Sequence, residues 1–115
     1  TRDLSYVANT VEGFVRIAQA KGVFGKVVNV GMGAEVSVRE LVEEIGSILK
    51  KKLAVEKEKQ RVRPAESEVD RLLADTRLAQ EVLDWKPKVD FTTGLKKTID
   101  WYRRNRFLFP KEYVV

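Results

Sequence analysis

Ser37 and Glu40 stand three residues apart at the head of an apolar stripe, and together they constrain this chain more than any other local feature. Val38, Leu41, Val42, Ile45, Ile48 and Leu49 fall on one face at helical spacing. A Ser hydroxyl that takes the N–H of the third helical residue, with a Glu returning to the cap's own N–H, fixes where a helix begins. Val36 and Leu41 occupy the two positions of a hydrophobic staple, and the helix is expected to run to about Lys50. A one-faced helix must lay its stripe on something, so what flanks it decides the fold class.

Short β-rich runs flank it. Arg2 to Val7 alternates and carries Leu4, Tyr6 and Val7, which predicts a short strand. Asn9 or Thr10 is expected to cap a helix in which Val11, Phe14, Val15 and Ala18 keep helical spacing, ended by Gly22 and Gly25. Lys26 to Val30 reads as a strand, and Gly31-Met32-Gly33 as a turn. Beyond the capped helix, Leu53 to Glu58 is expected as a strand with a charged outer face, and Val69 to Ala74 as another short one. Asp75 is expected to cap a short helix with Leu78, Ala79, Val82 and Leu83 inward. Asp84-Trp85-Lys86-Pro87 closes it, because Pro87 cannot continue a helix. Thr92 or Thr93 then caps the last helix, with Leu95, Ile99 and Tyr102 as its core stripe and Asn105 as its end. Strands and helices interleaved as β-α-β-α-β-loop-β-α-α predict an α/β domain over residues 1–106, followed by an apolar-rich tail over 107–115.

At 115 residues the chain has room for one domain and a modest core. It contains no Cys and no His, which excludes disulfides, thiolate nucleophiles, imidazole bases and the usual zinc sites. No apolar run reaches membrane-spanning length and no signal-peptide pattern appears, so a cytoplasmic protein with no membrane partner is expected. The net charge of +5 admits nucleic acid, a membrane surface or an anionic metabolite as partner. Its tight groups, Lys50-Lys51-Lys52 and Arg103-Arg104, fall at expected helix C-termini, where cations complement the helix dipole.

The stretch from Arg61 to Asp75 is the densest in chemistry. Arg61, Arg63, Pro64, Glu66, Ser67 and Glu68 lie within eight residues. A guanidinium fork matches phosphate oxygens, a carboxylate accepts from hydroxyls, and Pro64 holds Arg63 extended. That set suits a ligand with a diphosphate beside a diol; the plainer reading is a charged surface loop.

Three motifs in order carry a resemblance. Arg2-Asp3-Leu4-Ser5-Tyr6-Val7 comes first, then Asn29-Val30-Gly31-Met32-Gly33 followed by Ser37-Val38-Arg39-Glu40-Leu41. Arg63-Pro64 with Ser67-Glu68-Val69, Leu72-Leu73-Ala74-Asp75 and Leu83-Asp84-Trp85-Lys86-Pro87 complete the series. Over residues 2 to about 103 they resemble the C-terminal, substrate-binding part of the nucleotide-sugar epimerases and dehydratases, the extended short-chain dehydrogenases. The 4,6-dehydratases of the GDP-mannose type are the most similar, with the 4-epimerases as the alternative. The resemblance implies a small mixed α/β C-terminal domain of a longer, homodimeric enzyme whose N-terminal Rossmann domain holds NAD(P). It also implies that Arg63 clamps the substrate's diphosphate, that Arg2 is a second cation near the phosphates, and that Glu68 takes the ribose hydroxyls with Glu66 as its competitor. A salt bridge to Asp3 or another carboxylate is the alternative for Arg2. The chain departs from the family at Ala8-Asn9, where an acidic pair is usual, and at Asp84, where Gly is usual.

No catalytic, cofactor-binding or metal-binding residue is expected within the chain itself. Gly31-x-Gly33 lacks the third glycine of a dinucleotide fingerprint, and no Tyr is followed four positions later by Lys. The 115 residues alone are therefore expected to be inactive. Two readings from other classes stand beside this one: a basic nucleic-acid-binding module, and an interaction domain built on Phe107-Leu108-Phe109.

Overall fold

A computed structural model describes residues 1–56 and 69–109. Among the described residues, four helices form the frame: α1 (Val7–Gln19), α2 (Val38–Leu49), α3 (Arg77–Leu83) and α4 (Phe91–Arg104), with a 3₁₀ turn at Arg106–Leu108. They pack in two pairs, α1 on α3 and α2 on α4. The capping box forms as its spacing demands, Glu40 N–H donating to Ser37 Oγ at 3.2 Å and Ser37 N–H to Glu40 Oε2 at 2.7 Å. Lys50 ends α2 in the left-handed conformation, at φ 53°.

The expected sheet is not assembled among the described residues. Arg2 makes isolated bridges, antiparallel to Val36 and parallel to Leu72, and no longer ladder follows. The described parts of the segments expected as strands belong to no regular element beyond these bridges. A strand is held by consecutive ladder bonds on its neighbours, and here the bonding stops beside Arg2, with Asp3 N–H to Leu72 O at 2.8 Å as its last step. The part of the Leu53–Glu58 expectation beyond residue 56 lies outside the described residues.

Three caps differ from expectation, each because a better partner is nearby. α1 starts at Val7 with no side-chain cap on Tyr6, and Asn9 sits inside the helix, 1% exposed. Its side chain is spent elsewhere. Oδ1 accepts from Lys88 and Val89 N–H at 3.1 and 3.0 Å, and Nδ2 donates to Val89 O at 2.8 Å. For α3 the capping position is Thr76, while Asp75, one residue before the cap, accepts from Arg77 N–H. For α4 the cap is Asp90, which takes Thr93 N–H at 2.8 Å. That frees Thr92 to donate to Glu44 Oε1 of α2 at 2.7 Å.

Ala79, Leu83 and Trp85 form the buried core, with Ile17, Ala20, Val23, Val28, Val30 and Val82 against it. Asp84 delivers Trp85 to that core by closing α3 at φ 47°, the left-handed end that Asp tolerates better than most residues. Helix α1 faces the core with Asn9 and Gly13, and a Cβ on Gly13 would stand 2.8 Å from Val30 Cγ1. Its apolar residues Val7, Val11, Phe14 and Val15 therefore lie on the opposite, exposed side. Tyr102, expected in a core stripe, is likewise exposed, because its ring meets Phe109 at 4.7 Å instead of an apolar layer.

Candidate functional site

The first three residues hold together two turns from distant parts of the chain. The Asp3 carboxylate accepts from Met32 N–H at 2.7 Å, Gly33 N–H at 2.9 Å and Ala74 N–H at 3.3 Å. It thereby ties the Gly31–Gly33 turn to the end of the 69–74 segment. Gly31 is buried beneath this carboxylate and has no room for a side chain.

Arg2 works on the same segment. Its guanidinium Nη1 donates to Thr1 O at 2.8 Å and to Val69 O at 2.6 Å. Val69 directly follows Glu68, so Arg2 meets the chain one residue past the stretch expected to hold the ligand. Asp3, the carboxylate weighed as its ion-pair partner, is instead engaged by three backbone N–H groups. Arg63, Glu66 and Glu68 lie outside the described residues, so of the expected site residues the structure places Arg2 alone.

Two further contacts hold this limb. The Thr1 amino group donates to Asp70 O at 2.6 Å. Glu35 grips Arg71 in a two-pronged pair, Nε to Oε1 at 2.9 Å and Nη2 to Oε2 at 2.5 Å, and also accepts from Thr1 Oγ1 at 2.8 Å. Bonding to Arg71, with Thr1 second, holds the Glu35 carboxyl down to about 2 from its ordinary 4.5. A carboxyl depressed by folding contributes stability that is present above its unfolded pKa and lost as pH falls through its folded one. The stability difference between the native protein and Glu35→Gln is therefore expected to be full near pH 6 and to vanish as pH falls from about 4.5 to about 2. Urea melts of both proteins at several pH values measure it, and a difference independent of pH would contradict it.

Beside these contacts an open cleft of about 570 Å³ is lined by Asp3, Ser5, Asn29, Val30, Leu72 and Leu73, among others. Its lining combines a carboxylate, a hydroxyl and an amide with apolar walls. Chemistry is another matter. Tyr6 meets Lys97 through its ring face, with Nζ 5.6 Å from the centroid. Among the described residues no group of three acidic side chains is placed to hold a metal ion. Sequence reading passed over Glu35, placed Asn9 only as a helix cap and weighed Asp3 only as an ion-pair partner of Arg2, while each of the three reaches a partner far away in the chain.

The model of a family described as GDP-mannose 4,6 dehydratase matches residues 1–98. The dTDP-D-glucose 4,6-dehydratase of Bos taurus is 33% identical over 110 residues, covering 91% of this chain and 30% of its own length. Among solved structures, epimerase Mth375 of Methanothermobacter thermautotrophicus has a TM-score of 0.81 at 28% identity, over 92% of this chain and 31% of its own. The dTDP-glucose 4,6-dehydratase of Bacillus anthracis, solved in complex with NAD, gives 0.74 at 26% identity, over 91% and 32%. The chain thus spans about a third of the length of these relatives.

Proposed function

The chain belongs to the GDP-mannose 4,6-dehydratase family, and we propose that it is the part of an NAD(P)-dependent nucleotide-sugar 4,6-dehydratase that binds the substrate's nucleoside diphosphate. The observation that carries this is the anchoring of Arg2, Asp3 and Glu35 onto residues 69–74. These contacts fix one end of the segment bearing Arg63, Glu66 and Glu68, next to a cleft with polar groups on its wall. Arg63 then clamps the diphosphate, Glu68 (with Glu66 as its competitor) takes the ribose hydroxyls, and Arg2 anchors the loop's exit while adding positive charge. The nucleotide-sugar 4-epimerases remain the second reading, favoured by the 0.81 likeness to a protein described as an epimerase.

Among the described residues, the glycine turn and the capped start of α2 do not fit a dinucleotide's phosphates. The N–H groups of Met32 and Gly33, which a phosphate-cradling turn would offer, are taken by Asp3. At the α2 N-terminus the capping box already fills the place of an anion with Glu40. We therefore assign NAD(P) to a Rossmann domain in the remainder of a longer, cytoplasmic and homodimeric enzyme, and hydride transfer to that domain.

The test is steady-state kinetics of the longer enzyme with its nucleotide sugar. Arg63→Ala is expected to raise KM by about tenfold or more with kcat little changed, because a diphosphate contact distant from the reacting carbon binds ground and transition states alike. Glu68→Gln is expected to cost less, about fivefold, since the amide oxygen still accepts from a hydroxyl. An unchanged KM for Arg63→Ala would return this loop to a solvated surface feature.

A further inference from the structure

The end of α4 carries an apolar and basic tip for which the proposed substrate site has no use. Residues 101–109 hold three arginines, five apolar or aromatic residues and no acid. Trp101 is 53% exposed, Phe107 79% and Leu108 60%, and Arg103, Arg104 and Arg106 are all exposed beside them. Phe109 gathers the rings, packing on Tyr102 at 4.7 Å and edge-on to Trp101 at 6.0 Å. Side chains this apolar do not stay so exposed without cost, and the three cations outnumber the one neighbouring acid among the described residues, Asp100, whose Oδ1 lies 4.0 Å from Arg103 Nη1.

We propose that this tip docks on an anionic lipid bilayer surface, with Trp101, Phe107 and Leu108 entering the headgroup region and Arg103, Arg104 and Arg106 facing the lipid phosphates. Charge complementarity decides the occupant. A second copy of this chain would bring three more arginines against the first three, which repel. Single-stranded nucleic acid would need a row of ring faces on which successive bases stack, and here Phe109 packs on Tyr102 and meets Trp101, with Phe107 the most exposed ring of the tip. Amphipathic helices that lie in a bilayer interface combine the same residue types, Trp, Phe and Leu with basic side chains. No helix among the described residues is long and apolar enough to cross a membrane, so the contact is peripheral. It would also revise the expectation, drawn from the absence of a spanning segment, that no membrane takes part.

The experiment is co-sedimentation of the protein with extruded vesicles of phosphatidylcholine alone, or with about one-third phosphatidylglycerol. Binding is expected to be about tenfold or more tighter to the anionic vesicles and to disappear at high salt. Phe107→Asp with Leu108→Asp, and separately Arg103→Glu with Arg104→Glu, should each abolish it. Both pairs are exposed, and an unchanged thermal melt confirms that the fold persists. Equal binding to both vesicle types, no binding to either, or tighter binding to poly-uridine than to anionic vesicles would each overturn the proposal. So would a dimer, seen by light scattering, that the Asp pair dissolves.

Discussion

Asn9→Leu is expected to destabilise the fold by about 3 kcal/mol, a loss of roughly 12 °C in Tm for a domain of this size. Leucine matches asparagine in bulk and offers neither a donor nor an acceptor. Asn9 is 1% exposed and serves three backbone groups at once, Lys88 N–H, Val89 N–H and Val89 O. Each partly buried group left without a partner costs about 1–3 kcal/mol, with the lower figure fitting a turn that water can reach. The turn it holds lies between Trp85 and the α4 cap at Asp90, so the loss reaches both the core and the start of α4. Asn9→Asp separates the roles. It keeps the two acceptor bonds, removes the donor and sets a carboxylate against the Val89 carbonyl, so about half the loss is expected. Chemical denaturation of the three proteins measures this, and a melt unchanged in Asn9→Leu would contradict the assignment.

That residue also marks where sequence reading stops. Asn ahead of an amphipathic helix is a sound candidate for a cap, and nothing local tells it apart from an Asn reaching a turn 80 residues away. Ser37 and Glu40 were legible because both ends of their interaction lie within one turn. The left-handed end at Asp84 falls where the resembling family usually has Gly, the residue most at ease in that conformation. Spacing placed Val11, Phe14 and Val15 on one face of α1 but carried no information on which face turns inward. Small Gly13 against Val30 decided that. The expected strands differ in another way: β-propensity marks extended chain, while a ladder needs a neighbour in register, and among the described residues only those around Arg2 have one. The family was legible from three ordered motifs, whereas the work of Asp3 and Glu35 depends on contacts that no motif displays.

Gly31→Ala is expected to cost about 3 kcal/mol or more, at the upper end of what overpacking does in a rigid environment. The added methyl would lie 2.5 Å from Ala74 Cβ and 2.8 Å from Asp3 Oδ2, far inside van der Waals contact. Neither neighbour can yield cheaply. Ala74 is held through its own N–H by Asp3, and Asp3 is held by the N–H groups of Met32 and Gly33. The glycine is therefore required for close approach and not for its backbone angle, since the left-handed glycine of this turn is Gly33, at φ 68°. The second glycine of the Gly-x-Gly motif serves the turn and the first serves the packing, a division that needs no bound phosphate. Ala74→Gly provides the control. Alone it should cost about 1 kcal/mol, from backbone freedom and a lost methyl. Combined with Gly31→Ala it should recover part of the loss, because the carbon–carbon clash is gone while the approach to Asp3 Oδ2 remains. Denaturant melts of the two single variants and the double variant give the coupling energy directly, and losses that simply add would show that the two positions do not meet.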